Sequence, residues 1–398
     1  MSYNIRSHFP IFHNNPDLVY LDSASSTQKP QYVIDATNEY ISKNYANIGR
    51  WWYSIAEASD ELYFATKQKT AKLIGSAANE IIFAPNATYA INTFALALLQ
   101  SDYFQAGDEI ILSIAEHHAN MLVRENIAVR HCLTIQRIGL NKDLTVNMDE
   151  LQSKISPQTK LVALTLCSNV LGVRNELKNI RRIIGSEALL LVDWSQAVPN
   201  YQIDVKQLDC DALVFSTHKF LAYTWLGILY MKKSLINKLT PWLFGGGIVE
   251  DVTTTSFHLR PETEKFEPGT PNIVSIASWY YAMDYWTSIG WYDTWNTHEK
   301  RLMDHMSDRL WDMSDKLLLV NDNSDIGIFS FVTTQINQSQ SLVQQLNEHR
   351  ICVRSWWHCA YPLAQYLGIQ QGSIRVSLYI YNSTQDIDAF VDCIRSIV

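Results

Sequence analysis

Short apolar runs recur through the first two thirds of the chain, each bounded by polar or turn residues. They are EIIFA (80–84), EIILS (109–113), LTIQRI (133–138), LVALTL (161–166), ALLLVD (188–193), ALVFS (212–216) and GILYM (227–231). Runs this short and this rich in Ile, Leu and Val predict strands buried on both faces. Helix-length segments separate several of them, for example YAINTFALALLQ (89–100) and ELKNIRRIIG (176–185). Ahead of them, PQYVIDATNEYISKN (30–44) opens on a proline and keeps an apolar stripe, and AEASDELYFATKQKTAKLIG (56–75) also predicts a helix. Strand–helix alternation of this kind predicts an α/β fold: a mostly parallel, seven-stranded sheet flanked by helices, with functional residues beyond the carboxyl ends of its strands.

After about residue 280 the pattern changes. A long amphipathic stretch (292–313) leads into IGIFSFVTT (326–334), a helix SLVQQLNEH (341–349), strands ICVRS (351–355) and SIRVSLY (373–379), and a final helix. This predicts a smaller α+β domain. The expected division is a large domain over 25–280, with 1–24 and 281–398 forming the small one.

Composition narrows the function. A net charge of −8 with scattered Lys and Arg argues against nucleic acid, whose phosphates need clustered cations. The first residues lack the apolar core of a signal peptide, and no apolar run is long enough to span a bilayer. Six widely spaced cysteines without a CxxC point to a reducing, cytoplasmic setting rather than a disulfide framework. No metal-ligand spacing stands out: EHHAN (116–120) is not HExxH.

The strongest chemical signal is VFSTHKF (214–220), which puts Lys219 just past a strand, where an amine can form a Schiff base with a carbonyl cofactor. Alone it would equally be a solvated lysine. LLLVDWSQA (189–197) ends another strand on Asp193, a carboxylate able to hold a pyridine nitrogen protonated. Unpaired it would more often cap a helix, so the pairing with Lys219 decides. His117 of EHHAN can stack on a flat ring, and Asn169 of LCSNVLG can donate to a ring oxygen. Thr88 of NATYAIN stands at a helix start suited to phosphate. Each of these is bland by itself.

Taken in order, the motifs resemble the class V, fold-type I pyridoxal-phosphate enzymes, and within them the SUF-type cysteine desulfurases and selenocysteine lyases. The resemblance runs from YLDSASSTQKP (20–30) to RVSLYIYNS (375–383), through EHHAN, SNVLG, VDxxQA, FSxHK, the GGG of FGGGIV (244–249), FExGTPN and RxxxHCAxPL. It implies pyridoxal 5'-phosphate on Lys219, with Asp193 on the ring nitrogen and His117 stacked and shuttling a proton. Gln196 and Asn169 would face the phenolic oxygen. Thr88, Ser216 and His218 would hold phosphate, with Thr270 reaching in from the second subunit of a homodimer. Arg375 would clamp the substrate carboxylate as a bidentate guanidinium, with Arg50 and Arg354 as further substrate-binding arginines. Cys359 would be the nucleophile that takes sulfur from an amino-acid substrate and passes it to an acceptor protein, and adjacent His358 is a candidate to manage its proton.

The departures from that pattern cluster. GRWWY (49–53) stands where the family has an HRxxH-like segment, VDWSQ replaces VDGAQ, STHK replaces SGHK, and AYTWLG (222–227) replaces a glycine-rich turn. Ala87-Thr88 stands for Thr-Thr, and Trp356 and Trp357 precede His358. Six of the twelve tryptophans (51, 52, 194, 225, 356 and 357) fall in these motifs. Compensated packing, an altered aromatic pocket and deliberate redesign each account for that. Two rival functions therefore stand beside desulfuration: another pyridoxal-phosphate reaction on a bulkier amino acid, and a pseudoenzyme or sulfur-transfer partner whose pocket tryptophan fills.

Overall fold

A computed structural model describes residues 5–49, 52–334, 339–369 and 371–398. Strands β1 (Ile81–Ala84), β2 (Glu109–Ser113), β3 (Thr134–Ile138), β4 (Thr159–Thr165), β5 (Leu189–Asp193), β6 (Ala212–Ser216) and β7 (Gly227–Met231) form one seven-stranded sheet. Its order is β1-β7-β6-β5-β4-β2-β3, and only β7 runs antiparallel to its neighbours. All seven predicted strands are present, displaced at most by a residue or two. Successive side chains alternate between two cores. Ile111, Val162, Leu190 and Leu213 pack on one face, whereas Ile110, Leu161, Leu191 and Val214 pack on the other. Burial on both faces is why these runs carry almost no polar residues.

The C-terminal part holds a second, four-stranded antiparallel sheet. Its strands are β8 (Leu317–Leu319), β9 (Ile328–Thr333), β10 (Arg354–Trp356) and β11 (Ser373–Ser377), in the order β8-β9-β11-β10. Helices Trp291–Trp311, Ser339–Glu348 and Thr384–Ile397 accompany it, and Leu302, Phe331, Leu346, Val376 and Phe390 fill its core together with Leu21 from the N-terminal segment.

Two features depart from the sequence pattern. ICVRS is not one strand: Ile351–Cys352 pairs in parallel with Val19–Tyr20, while Arg354–Trp356 joins β11. The chain changes partner at Val353, and nothing local signals such a change. Helix Ile273–Ser288 goes unmarked because it is apolar almost all round. Its buried residues include Ile273, Ile276, Ala277, Trp279, Ala282 and Trp286, so it shows no polar stripe.

Candidate active site

The carboxyl ends of β1, β2, β4, β5 and β6 open on a cavity of about 290 Å³. Lys219, Asp193, His117, Asn169, Gln196, Thr88, Ser216, His218, Arg354 and Arg375, all expected from the sequence, line it. They come from different strand ends, which brings together residues far apart in the chain.

Lys219 follows β6 on a single turn, Thr217–Lys219, half-buried at the cavity wall. That turn is clamped from the N-terminal segment: the His218 carbonyl accepts from Thr27 N–H at 3.1 Å and from Thr27 Oγ at 3.0 Å. Burial lowers the Lys219 ammonium from 10.5 to about 8, against the pull of Asp193 and with the help of Arg375 and Arg354. About a tenth of it is therefore free amine, the nucleophilic form, at pH 7, far more than an ordinary lysine offers.

Asp193 ends β5 and is buried, its Oδ1 held by the Ser195 N–H at 2.9 Å. His117 caps the helix His118–His131, its Nδ1 accepting the Ala119 N–H at 3.0 Å. Burial, then Lys219, His118, Arg354 and Arg375, push its pKa down to about 3. It is a neutral imidazole with its proton on Nε2, a form that stacks on a ring without adding charge. His218 is likewise pushed to about 3, by burial and then by Lys219 and Lys29, and its buried Nδ1 has no hydrogen-bond partner.

Asn86 caps the helix Ala87–Gln100 through the Tyr89 N–H, and the Ala87 N–H donates to Ser216 Oγ at 2.8 Å. The end of β6 therefore touches the first turn of that helix, where Thr88 carries a free N–H suited to an anion. This contact needs Gly227 beside it, since a Cβ there would stand 2.3 Å from the Asn86 carbonyl carbon.

Arg375, on β11, is fully buried. Its Nη2 donates to Asp22 Oδ1 (3.1 Å) and Ser25 Oγ (2.9 Å), and its Nη1 to the Asn169 carbonyl (3.1 Å), while Nε has no partner. A buried unmatched N–H on a guanidinium that lines the cavity suits an anionic ligand. Cys359 does not line the cavity itself. It stands behind Arg354, whose Nη2 lies 3.7 Å from Sγ and whose Nη1 reaches Ser25 Oγ at 3.2 Å.

The His358 ring is engaged with Ser373. Its Nε2 donates to the Ser373 carbonyl (3.1 Å) and meets Ser373 Oγ (3.2 Å), and its Nδ1 is buried without a partner. Burial and the two arginines push it to about 2. Neighbours in sequence here face different ways, and the polar group recorded at Sγ is Arg354. Thr270 lies elsewhere, in a separate cleft of about 740 Å³ with Gly246, Gly247 and Asn47. Arg50 and Trp51 lie outside the described residues.

None of the described motif tryptophans lines the cavity. Trp194 points away from Asp193 into the core, edge-on to Phe215 at 5.3 Å. Trp52 and Trp225 are 90% and 66% exposed, and Trp356 packs tilted against Trp357 (4.7 Å between ring centroids), which packs tilted against Tyr361 (4.4 Å). Within its own chain no described motif indole fills the cavity: period two along the strand turns Trp194 to the opposite face from Asp193.

Glu116 is a site residue that no motif argument singled out. Its buried carboxyl accepts from Ser113 Oγ (2.6 Å), Thr165 N–H (3.0 Å) and Asn120 Nδ2 (2.8 Å), tying β2, β4 and the His117 helix together. Its position beside His117 was the available signal.

The donor set fits pyridoxal phosphate: a half-buried lysine partly in its free-amine form, a carboxylate at a strand end, a neutral imidazole, and hydroxyls with a helix start. Among the described residues no group of His, Cys, Asp and Glu is placed to hold a metal ion, and no helix is long and apolar enough to cross a membrane.

The family model described as Aminotransferase class-V matches residues 19–390. A probable cysteine desulfurase of Halalkalibacterium halodurans is 33% identical over 393 residues, 98% of this chain and 96% of the relative. One of Streptomyces coelicolor is 34% identical over 399 residues, 98% and 95% of the two chains. Among solved structures, the apo cysteine desulfurase of Thermococcus onnurineus superposes with a TM-score of 0.93 at 28% identity, covering 100% of this chain and 98% of its own. An Escherichia coli cysteine desulfurase in an S-sulfonic acid form gives 0.88 at 28%, covering 98% and 97%.

Proposed function

The chain belongs to the class-V aminotransferase family, on its cysteine desulfurase branch, and from that membership we propose how its own residues carry out the reaction. It is a pyridoxal-phosphate-dependent cysteine desulfurase, taking sulfur from L-cysteine and releasing L-alanine. Bound pyridoxal phosphate supplies an electron sink for the pair left when the substrate's Cα proton departs.

Lys219 would hold the cofactor's carbonyl carbon, and its amine would take the substrate's Cα proton. Asp193 would keep the ring nitrogen protonated, and His117 would serve as a neutral base and donor beside the ring. Thr88, Ser216 and His218 would hold the phosphate, with Gln196 and Asn169 on the phenolic oxygen side. The fully buried Arg375, with its spare Nε–H, binds the substrate carboxylate, and Arg354 orients both substrate and thiol. Arg50 is assigned to substrate binding by resemblance alone. Cys359 attacks the substrate sulfur: a sulfur–sulfur bond forms as the Cβ–S bond breaks. The electron pair stays on Cβ, which takes a proton to become the methyl group, and Cα regains one to complete L-alanine.

The observation that carries this reading over other pyridoxal-phosphate reactions is Arg354 Nη2 at 3.7 Å from Cys359 Sγ, on an arginine that lines the same cavity as Lys219. The contact ties the thiol to the arginine that lines the cofactor cavity. The reading includes a homodimer, supported by Thr270 lying outside its own chain's cofactor cavity. It also includes a sulfur-acceptor protein, and a cytoplasmic setting supported by six free cysteines. The domain division at 25–280 belongs to it too, supported by Leu21 packing with the C-terminal core.

The test is to incubate the holoenzyme with L-cysteine and measure alanine together with persulfide on Cys359. Equimolar alanine and sulfane sulfur are expected, and neither should form in Cys359→Ala. Alanine-free turnover, or full turnover in Cys359→Ala, sinks the reading.

A further inference from the structure

Lys219 borders two cavities. Behind it, on the side away from most of the cofactor-site residues, lies a small void of about 20 Å³, enclosed by helix Trp291–Trp311 and the turn at Gly327. Ser195, Gln196 and Lys219 line both spaces. The volume suits a single water, which needs two to four polar partners to be held.

Most polar groups around the void are already committed. Ser23 Oγ bonds Tyr381 Oη, Gln196 Nε2 bonds the Ala24 carbonyl, and Ser377 Oγ bonds the Leu21 carbonyl. Three remain. Ser195 Oγ is buried without a partner, Lys219 Nζ has no protein hydrogen bond among the described residues, and Glu299 presents a buried carboxyl. Glu299 Oε1 accepts the Gly327 N–H at 2.7 Å, which fixes the carboxyl at the wall of the void.

We propose that Glu299 exchanges a proton with Lys219 through one water held in this void, so that the catalytic lysine has a proton store behind it. The inference rests on the desulfurase reading for its place in the reaction. In the exchange a Glu299 O–H bond breaks as a water O–H bond forms, and the water's other proton passes to Lys219 Nζ. Neutral acid and amine become carboxylate and ammonium, and nothing is oxidised or reduced. Glu299 acts through Lys219 and is therefore a positioning residue for its proton.

The electrostatics support the exchange. Burial pushes Glu299 up to about 8 and brings Lys219 down to about 8, so the proton rests on either at similar cost. The other titratable groups within reach of Glu299 are Tyr201, Tyr379 and Cys167, all driven upward by burial and neutral in the working range. Asp193 and Arg375 act on Lys219 from the cofactor side. A store behind Lys219 lets the Cα proton leave and a different proton return to the product methyl.

The test uses L-cysteine deuterated at Cα, holoenzyme in ordinary water, and mass analysis of the alanine. Little label should reach the methyl group in the wild type. In Glu299→Gln, which keeps an acceptor for Gly327, label retention should rise severalfold. kcat should fall about tenfold, short of the roughly 10²-fold at which direct general acid–base effects begin because Glu299 acts only through Lys219, with KM within about twofold. Ser195→Ala should move label retention the same way by a smaller factor. Unchanged retention in both variants, with normal melting temperatures, overturns the proposal. If the wild type makes no alanine at all, the desulfurase reading fails, and infrared spectra of the apoprotein decide the relay separately. A carboxylic-acid carbonyl band, lost in Glu299→Gln and shifted in Lys219→Ala, sustains it; absence of that band overturns it.

Discussion

Lys219, Asp193 and His117 stand at or just past the ends of β6, β5 and β2, in backbone that regular hydrogen bonding fixes. Cys359 stands instead in a loop where Trp356, His358 and Cys359 all take positive φ, at 98°, 49° and 59°. Residues other than glycine hold such angles only where the surroundings impose them, at about 1–3 kcal/mol each. The imposing contacts are identifiable. The His118 N–H donates to the Cys359 carbonyl at 2.7 Å, and the Tyr361 N–H donates to His118 Nε2 at 3.1 Å. Asn169 Nδ2 donates to the His358 carbonyl at 2.7 Å. The loop thus hangs from the same helix start and strand-end loop that build the cofactor cavity. Proton chemistry on a ring needs fixed positions, which strand ends supply. A thiol that serves first a substrate and then an acceptor sits on a segment shaped by contacts rather than by its own propensity.

The sharpest way to separate the two regions is a pair of substitutions. Lys219→Ala should remove both the absorbance of bound cofactor and desulfuration, by more than about 10³-fold. Cys359→Ala should abolish desulfuration as fully yet keep the cofactor absorbance and its response to L-cysteine. Loss of cofactor binding in Cys359→Ala would mean that the loop helps build the cavity, and the distinction would fail.

A smaller effect tests the cavity side alone. With Lys219 lowered to about 8, the rate at which apoprotein takes up pyridoxal phosphate should rise with pH through about 8 and level off above it, as the amine loses its proton. A lysine at its ordinary value would give a rate still climbing beyond pH 10. His117, already neutral, contributes no step in that range.

Arg354→Gln should act on the loop side. Removing the guanidinium 3.7 Å from Sγ should slow desulfuration about tenfold, with cofactor absorbance unchanged. Loss of that absorbance would show that Arg354 serves only the cavity.

The same contrast explains what was legible in the sequence. Strands buried on both faces write continuous apolar runs, so all seven strands of the large sheet, and the residues at their ends, could be placed before any coordinates. Helix Ile273–Ser288 wrote no stripe because nearly every face is buried. Glu299 lies in an HEKR run that looks like a solvated helix face, and only docking against Gly327 puts it inside. The pairing of Cys359 with Arg354 rather than His358 depends on the loop's left-handed turns, which no periodicity encodes.

The smallest expected effect concerns Trp356, and it decides whether the indoles shape the pocket. Trp356 is 43% exposed, holds φ at 98°, and packs its backbone so closely on Gly372 that a Cβ there would stand 2.9 Å from its Cα. Trp356→Gly would relieve about 1–2 kcal/mol of left-handed strain. It would lose about 0.5–1.5 kcal/mol of aromatic packing on Trp357 and about 0.5–1 kcal/mol to chain entropy. These terms nearly cancel, so the melting temperature should move by less than about 3 °C. Because Trp356 does not line the cavity, KM for L-cysteine should stay within about twofold. A change in KM of tenfold or more would place the indole against bound substrate, adding it to the loop's His358, which already lines the cavity.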